Sequence, residues 1–224
     1  MFKSVIYDIQ TIILKEYWEL KKGIKFLGLY MLLGLMPLIL NLNHPNSILP
    51  DNLIFISLFM IVSIGCSGQI ALDSIRGESN SKTLEYLLSS NISIISIFLG
   101  KVILPVLFGY VTALLSLLVF RISSYNIYAV HEGSINICFF FIMFIITFIG
   151  VCISIISTIV IKEEKVSPVV SILVTLVVFS GIVYIYIKVI SNIYVFTLIC
   201  ILLSILFTFL GTTALKRVDF ISIE

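Results

Sequence analysis

The sequence predicts an all-α membrane protein with six transmembrane helices, and three observations lead there. Of its 224 residues 60% are hydrophobic and 12% charged, with a mean hydropathy of +1.20, whereas a soluble domain carries about 25% charged residues. The apolar residues gather into runs that meet the length of a spanning helix, roughly 20 residues at 1.5 Å each. The basic residues between those runs fall almost entirely on one side.

Residues 1–23 come first. Phe2, Val5, Ile6, Ile9, Ile12, Ile13, Tyr17 and Leu20 recur at steps of three and four, while Lys3, Asp8, Lys15, Glu16, Glu19 and Lys22 fall mostly elsewhere on the wheel, the pattern of an amphipathic helix. With Tyr17 and Trp18 close to the first apolar run, the segment is expected to lie in the cytoplasmic interface. Phe2, Ile6, Ile9, Ile13, Tyr17 and Trp18 would then face the acyl boundary. The segment has no continuous apolar stretch ending in small residues, so the first span is expected to act as the insertion signal.

Residues 24–224 form the six-helix domain. Spans are predicted over Ile24–Leu42, Leu53–Leu72, Ile92–Phe120, Ile135–Ile161, Pro168–Ile190 and Ile193–Leu215. Between the first two, Asn43-His44-Pro45-Asn46 breaks the helix because proline lacks a backbone donor. The third run is too long for one straight crossing and contains Lys101, whose burial in lipid would cost a few kcal/mol or more. An interfacial start followed by a crossing from Lys101 to Phe120 relieves both problems. Lys101 is expected to snorkel to the headgroups, and Pro105 to kink the helix.

Of the 14 basic residues only Arg121 and Lys188 fall on the outer side. The positive-inside rule therefore puts both termini and the second and fourth connections in the cytoplasm of a multi-pass cell-membrane protein. No dense basic tract suggests a nucleic acid partner. Cys66, Cys138, Cys152 and Cys200 lie in apolar runs without a C-x-x-C pair, and read as small core residues and not as metal ligands or a disulfide framework.

Asp73–Asn91, between spans two and three, is the most informative segment. Its Gly77–Ser81 portion reads as a turn or helix start, with Ser79, Asn80 and Ser81 able to cap the next helix. From Thr83, the residues Leu84, Leu87 and Leu88 make a short apolar face at helical spacing, flanked by Glu78, Lys82 and Glu85. A short helix parallel to the membrane is expected, its leucines an exposed apolar anchor with a charged rim.

At Asp73, Glu78, Thr83, Leu84, Glu85, Leu87, Leu88, Gly100 and Lys101 the chain resembles the membrane subunits of ABC-2-type transporters. Those carry an acidic residue at the end of the second span, a Gly-Thr-Leu-Glu-x-Leu-Leu stretch, and a Gly-Lys pair entering the third. Lys82 stands where that family usually has glycine, and Asn91-Ile92 where proline is common. The six-span layout and the amphipathic N-terminal helix fit as well.

The resemblance implies a coupling helix on a separate ATPase subunit, with Arg76, Glu78, Lys82, Thr83, Leu84, Glu85, Leu87 and Leu88 at the contact. It further implies pairing with a second copy or a related permease, and export of a peptide, antibiotic or other amphipathic substrate. No G-x-x-x-x-G-K-[ST] phosphate loop occurs in the chain, so ATP and Mg are expected on the partner and no cofactor in this chain.

Other readings compete. Gly65-Cys66-Ser67-Gly68 matches the G-x-S-G signature of rhomboid intramembrane serine proteases, but a serine nucleophile needs a base within reach. The only histidines, His44 and His131, fall in predicted outer loops, and small residues in a membrane helix commonly permit close packing. Glu163-Glu164 is similar to the paired glutamates of CAAX-type membrane proteases, yet Lys162 and Lys165 flank it as in a solvated loop. No mid-span carboxylate suggests a proton-driven pump. A non-transporting immunity or regulatory membrane protein would need no site at all.

Overall fold

The computed structural model describes residues 2–23, 51–81, 83–90, 92–125, 137–161, 163, 166–188 and 193–221, and among them there are seven helices and no strand. In chain order these are α1 (Phe2–Gly23), α2 (Asp51–Asn80), α3 (Thr83–Leu88), α4 (Ile94–Tyr125), α5 (Ile137–Val160), α6 (Val166–Lys188) and α7 (Ile193–Ile221). The predicted first span Ile24–Leu42 lies outside the described residues, as do His44, Lys82, His131 and Glu164.

Among the described residues three helices contain stretches long and apolar enough to cross a membrane, namely Ile94–Ser116, Phe140–Val160 and Val195–Arg217, and Val166–Gly181 is a shorter apolar helix. These coincide with four of the predicted spans. α2 covers the predicted second span but begins at Asp51, inside what the sequence suggested was loop, and runs on to Asn80. Gly77–Asn80 is therefore the end of α2 and not a turn opening the next helix. Its last carbonyls find donors locally: the Ser81 amide donates to Gly77 O at 3.2 Å and the Ser81 hydroxyl to the same oxygen at 2.7 Å.

The third predicted run, Ile92–Phe120, is one unbroken helix, Ile94–Tyr125, of 32 residues with Pro105 inside it, about 48 Å long. Ser93 caps its start, accepting the Ser96 amide at 3.1 Å on its hydroxyl.

α5 is the central stave. On one side Ile142, Ile145, Ile146, Ile149 and Ile153 pack with Phe179 of α6 and with Phe196 and Cys200 of α7. Its other side offers Val151, Cys152 and Ile155 to Ala71 and Ile75 of α2, Phe98, Val102 and Val106 of α4, and Leu215 of α7. Accordingly 67% of its apolar window is buried, against 17% for α7.

Cys66, Cys152 and Cys200 are free thiols in this core. Within the Gly-Cys-Ser-Gly stretch, Cys66, Ser67 and Gly68 form a helix-packing surface, while Gly65 is exposed. A Cβ on Gly109 of α4 would lie 2.5 Å from Ser67 Cβ and 2.6 Å from the Ser63 carbonyl, and one on Gly68 would lie 2.9 Å from Ser154 Oγ of α5. α4 and α5 thus approach α2 as closely as small residues permit.

Candidate functional site: a buried charge cluster joining three helices

α1 docks where α2, α3 and α4 meet. Ile12 is buried with Leu84 and Leu88 of α3 and Ile97 of α4, with Leu87 and Ile92 packed around them. Gly100 supplies the notch: a Cβ there would stand 2.7 Å from Ile12 Cγ2. One turn along each helix from these contacts, at Glu16 and Lys101, the apolar interface becomes ionic.

Lys101 is 1% exposed and donates to Glu16 Oε1 of α1 at 2.7 Å and to Ser74 Oγ of α2 at 3.1 Å. It also contacts Glu78 Oε2 of α2 at 2.6 Å, and the side chains of Glu16 and Glu78 are each 3% exposed. An ammonium has three donors and no acceptor; Glu16 and Ser74 take two of them, and Glu78 Oε2 stands close as an ionic contact outside hydrogen-bond geometry. The second Glu78 oxygen takes Lys15 of α1, which also stands 3.9 Å from Glu19. Charges therefore alternate along Lys15, Glu78, Lys101 and Glu16, two positive and two negative, drawn from three helices.

One member of this chain of charges and one nearby group have shifted pKa values. Burial pulls the Lys15 ammonium down, but the carboxylates of Glu78, Glu19 and Glu16 together outweigh it and the net shift is upward. Asp73 is raised, chiefly by desolvation and in spite of the hydrogen bond from Gln69 (3.0 Å) and the nearby Arg76.

Several expectations need correction. Lys101 does not snorkel, because it finds two carboxylates inside the fold and has no cause to seek headgroups. Leu84 and Leu88 are not an exposed anchor: at 4% and 6% exposure they are already occupied by Ile12 and Ile97. Glu78 is no rim charge but an inner member of the cluster. Thr83 is exposed, its hydroxyl 2.8 Å from that of Ser81, and Arg76 and Leu87 are half-buried. Tyr86 of α3 also faces outward, 76% exposed. Lys82 and the side chain of Glu85 lie outside the described residues.

α1 also departs from a single membrane-facing stripe. Ile12, Glu16 and the half-buried Val5, Ile9, Ile13 and Leu20 turn toward the fold, while Ile6, Tyr7, Leu14, Tyr17 and Trp18 are exposed, with Lys21 Nζ 5.2 Å from the Trp18 ring centre. The Phe2 side chain lies outside the described residues.

Sequence reasoning missed the docking role of Ile12 and Glu16. The available signal was Glu16 itself, a carboxylate one turn beyond Ile12 on a stripe with Val5 and Ile9, where a charge has to be paired to be buried. Comparison of the chain with protein-family models, with curated proteins and with solved structures finds no match.

Proposed function

We propose that the chain is the membrane-spanning permease subunit of an ATP-driven ABC exporter of the ABC-2 type. In this reading it crosses the membrane six times with both termini in the cytoplasm. The observation that carries it is the form of α3, a six-residue helix between two long ones, seated on α1 through Leu84 and Leu88 and turned outward at Tyr86. A contact made on its outer face would be transmitted through well-packed side chains to α1 and α4, as a coupling helix requires. The resemblance across Asp73–Lys101 supports the same assignment.

The ATPase would meet Tyr86, Thr83, Ser89 and Ser90, all exposed, and the leucines would serve as the inner support. A second permease copy or a related one completes the assembly, and the cargo is a peptide, antibiotic or other amphipathic molecule.

Affinity purification of the tagged full-length chain from its native membrane tests the proposal. An ATPase subunit is expected to accompany the wild-type chain and to be lost with Tyr86→Asp while the chain itself persists in the membrane. If no ATPase accompanies the wild type, the reading fails. Leu84→Asp is a poor probe because it disrupts the seat of α3 whatever the partner.

A further inference from the structure

α1 has two apolar stripes that hydrophobic packing alone would barely distinguish. Val5, Ile9, Ile12 and Leu20 lie on the docked stripe, and Ile6, Tyr7, Leu14, Tyr17 and Trp18 on the exposed one. Along the docked stripe the knobs are nearly interchangeable, since Ile9 stands three residues before Ile12 and in a slipped register would offer the same kind of side chain to the notch that Ile12 fills at Gly100. Dispersion and area burial are non-directional and would accept either register.

We infer that the alternating chain Lys15, Glu78, Lys101 and Glu16 is a register lock, selecting which stripe of α1 docks and at which axial position. If α1 slid so that Ile9 took the place of Ile12, Ile13 would take the place of Glu16. Lys101 would then face an isoleucine. If α1 turned its exposed stripe inward, no carboxylate would face Lys101, because that stripe contains none. Either error leaves Lys101 short of a partner and Glu78 without Lys15, and an uncompensated buried charge is a far stronger penalty than an exchanged isoleucine.

The lock sits where it governs α3 as well, because the same Ile12 that it positions is what Leu84 and Leu88 rest on. Pro105 adds to the effect, since it has no amide to offer the Lys101 carbonyl four residues earlier. That turn of α4 lacks one of its own backbone bonds, and the ionic contacts hold its side chain from outside. The inference concerns assembly of this chain and does not depend on the transport reading.

Crosslinking in membranes tests it, using the full chain with its four native cysteines replaced by alanine. Cysteine pairs at positions 12 and 97 report the observed register, and pairs at 9 and 97 the slipped one. With the cluster intact, 12–97 is expected to exceed 9–97 by about tenfold or more, the scale of preference that an unpaired buried charge enforces. In the neutralised variant Glu16→Gln/Glu78→Gln/Lys101→Met, the ratio is expected to fall toward about one.

A ratio that stays high in the neutralised chain overturns the inference and assigns the register to apolar packing. Should that triple variant not accumulate, Lys15→Met/Glu16→Gln/Glu78→Gln/Lys101→Met removes every charge of the lock and reads the same ratio. An unchanged ratio there also overturns it.

Discussion

Lys101 and Glu16 stand 85 residues apart in the chain and 2.7 Å apart in the fold, both almost completely buried. Desolvating two charges costs several kcal/mol each, so such a pair adds little net stability over an apolar one of equal shape, but breaking it by removing one partner is severe. The pair is best understood as a determinant of how α1 sits.

Lys101→Met should therefore destabilise the protein by about 3–5 kcal/mol, because it leaves Glu16 and Glu78 buried together with one fewer cation. Neutralising both carboxylates in the same chain should recover most of the loss. Thermal unfolding of detergent-solubilised protein, followed by loss of monodisperse material, measures both. A single variant as stable as the wild type would contradict the buried cluster.

Gly109 and Gly77 make a contrasting pair in α4 and α2. A methyl on Gly109 would meet the Ser63 carbonyl at 2.6 Å, a backbone atom that cannot swing aside, whereas one on Gly77 would meet nothing within 4 Å. Gly109→Ala should cost about 1–3 kcal/mol through overpacking. Gly77→Ala should be neutral or stabilise by up to about 1 kcal/mol, since alanine loses less backbone entropy in a helix. The same unfolding assay separates the two.

Trp18 is the one tryptophan of the chain and is 60% exposed on α1. With Tyr17 and Lys21 beside it, it should lie in the membrane interface, where amphipathic rings are favoured. In reconstituted vesicles its fluorescence should be quenched by phospholipids brominated near the headgroup end of the acyl chain, and little by aqueous iodide. The opposite order of quenching would place this stripe against water or protein.

Asp73, just beyond the predicted second span, keeps an exposed side chain, yet the packing around it desolvates the carboxyl enough to hold it above its ordinary value of 3.8. The folded state then binds the proton more tightly than the unfolded one. Its contribution is full below the ordinary value and is lost as pH rises through the raised one. Asp73→Asn keeps an acceptor for Gln69 and should flatten the decline in stability above about pH 4. Unfolding measured across the acidic range checks this, and an identical slope in wild type and variant would refute it.

Much of the architecture was legible in the chain. Five predicted runs return as helices, four of them with boundaries shifted by a few residues at most sites, because a run of apolar residues in lipid must satisfy its backbone internally. The helix over Thr83–Leu88 was legible from the spacing of its leucines. The helical content of residues 2–23 was legible from period alone. What periodicity could not supply was which neighbour each apolar face would meet, so Leu84 and Leu88 read as an open anchor when they are a seat for Ile12.

The sequence by itself determined that this is a helical protein rich in bilayer-length apolar segments, and it marked Asp73–Lys101 as the segment where polar chemistry gathers. Those properties come from composition and local spacing, which act within one helix at a time. Only the tertiary structure decided the fate of the charges. A lone Lys101 in an apolar run reads as a residue seeking headgroups, and a lone Glu16 as part of a polar face. Whether a charge can be buried depends on counter-charges within a few ångströms, and those come from helices far apart in the chain.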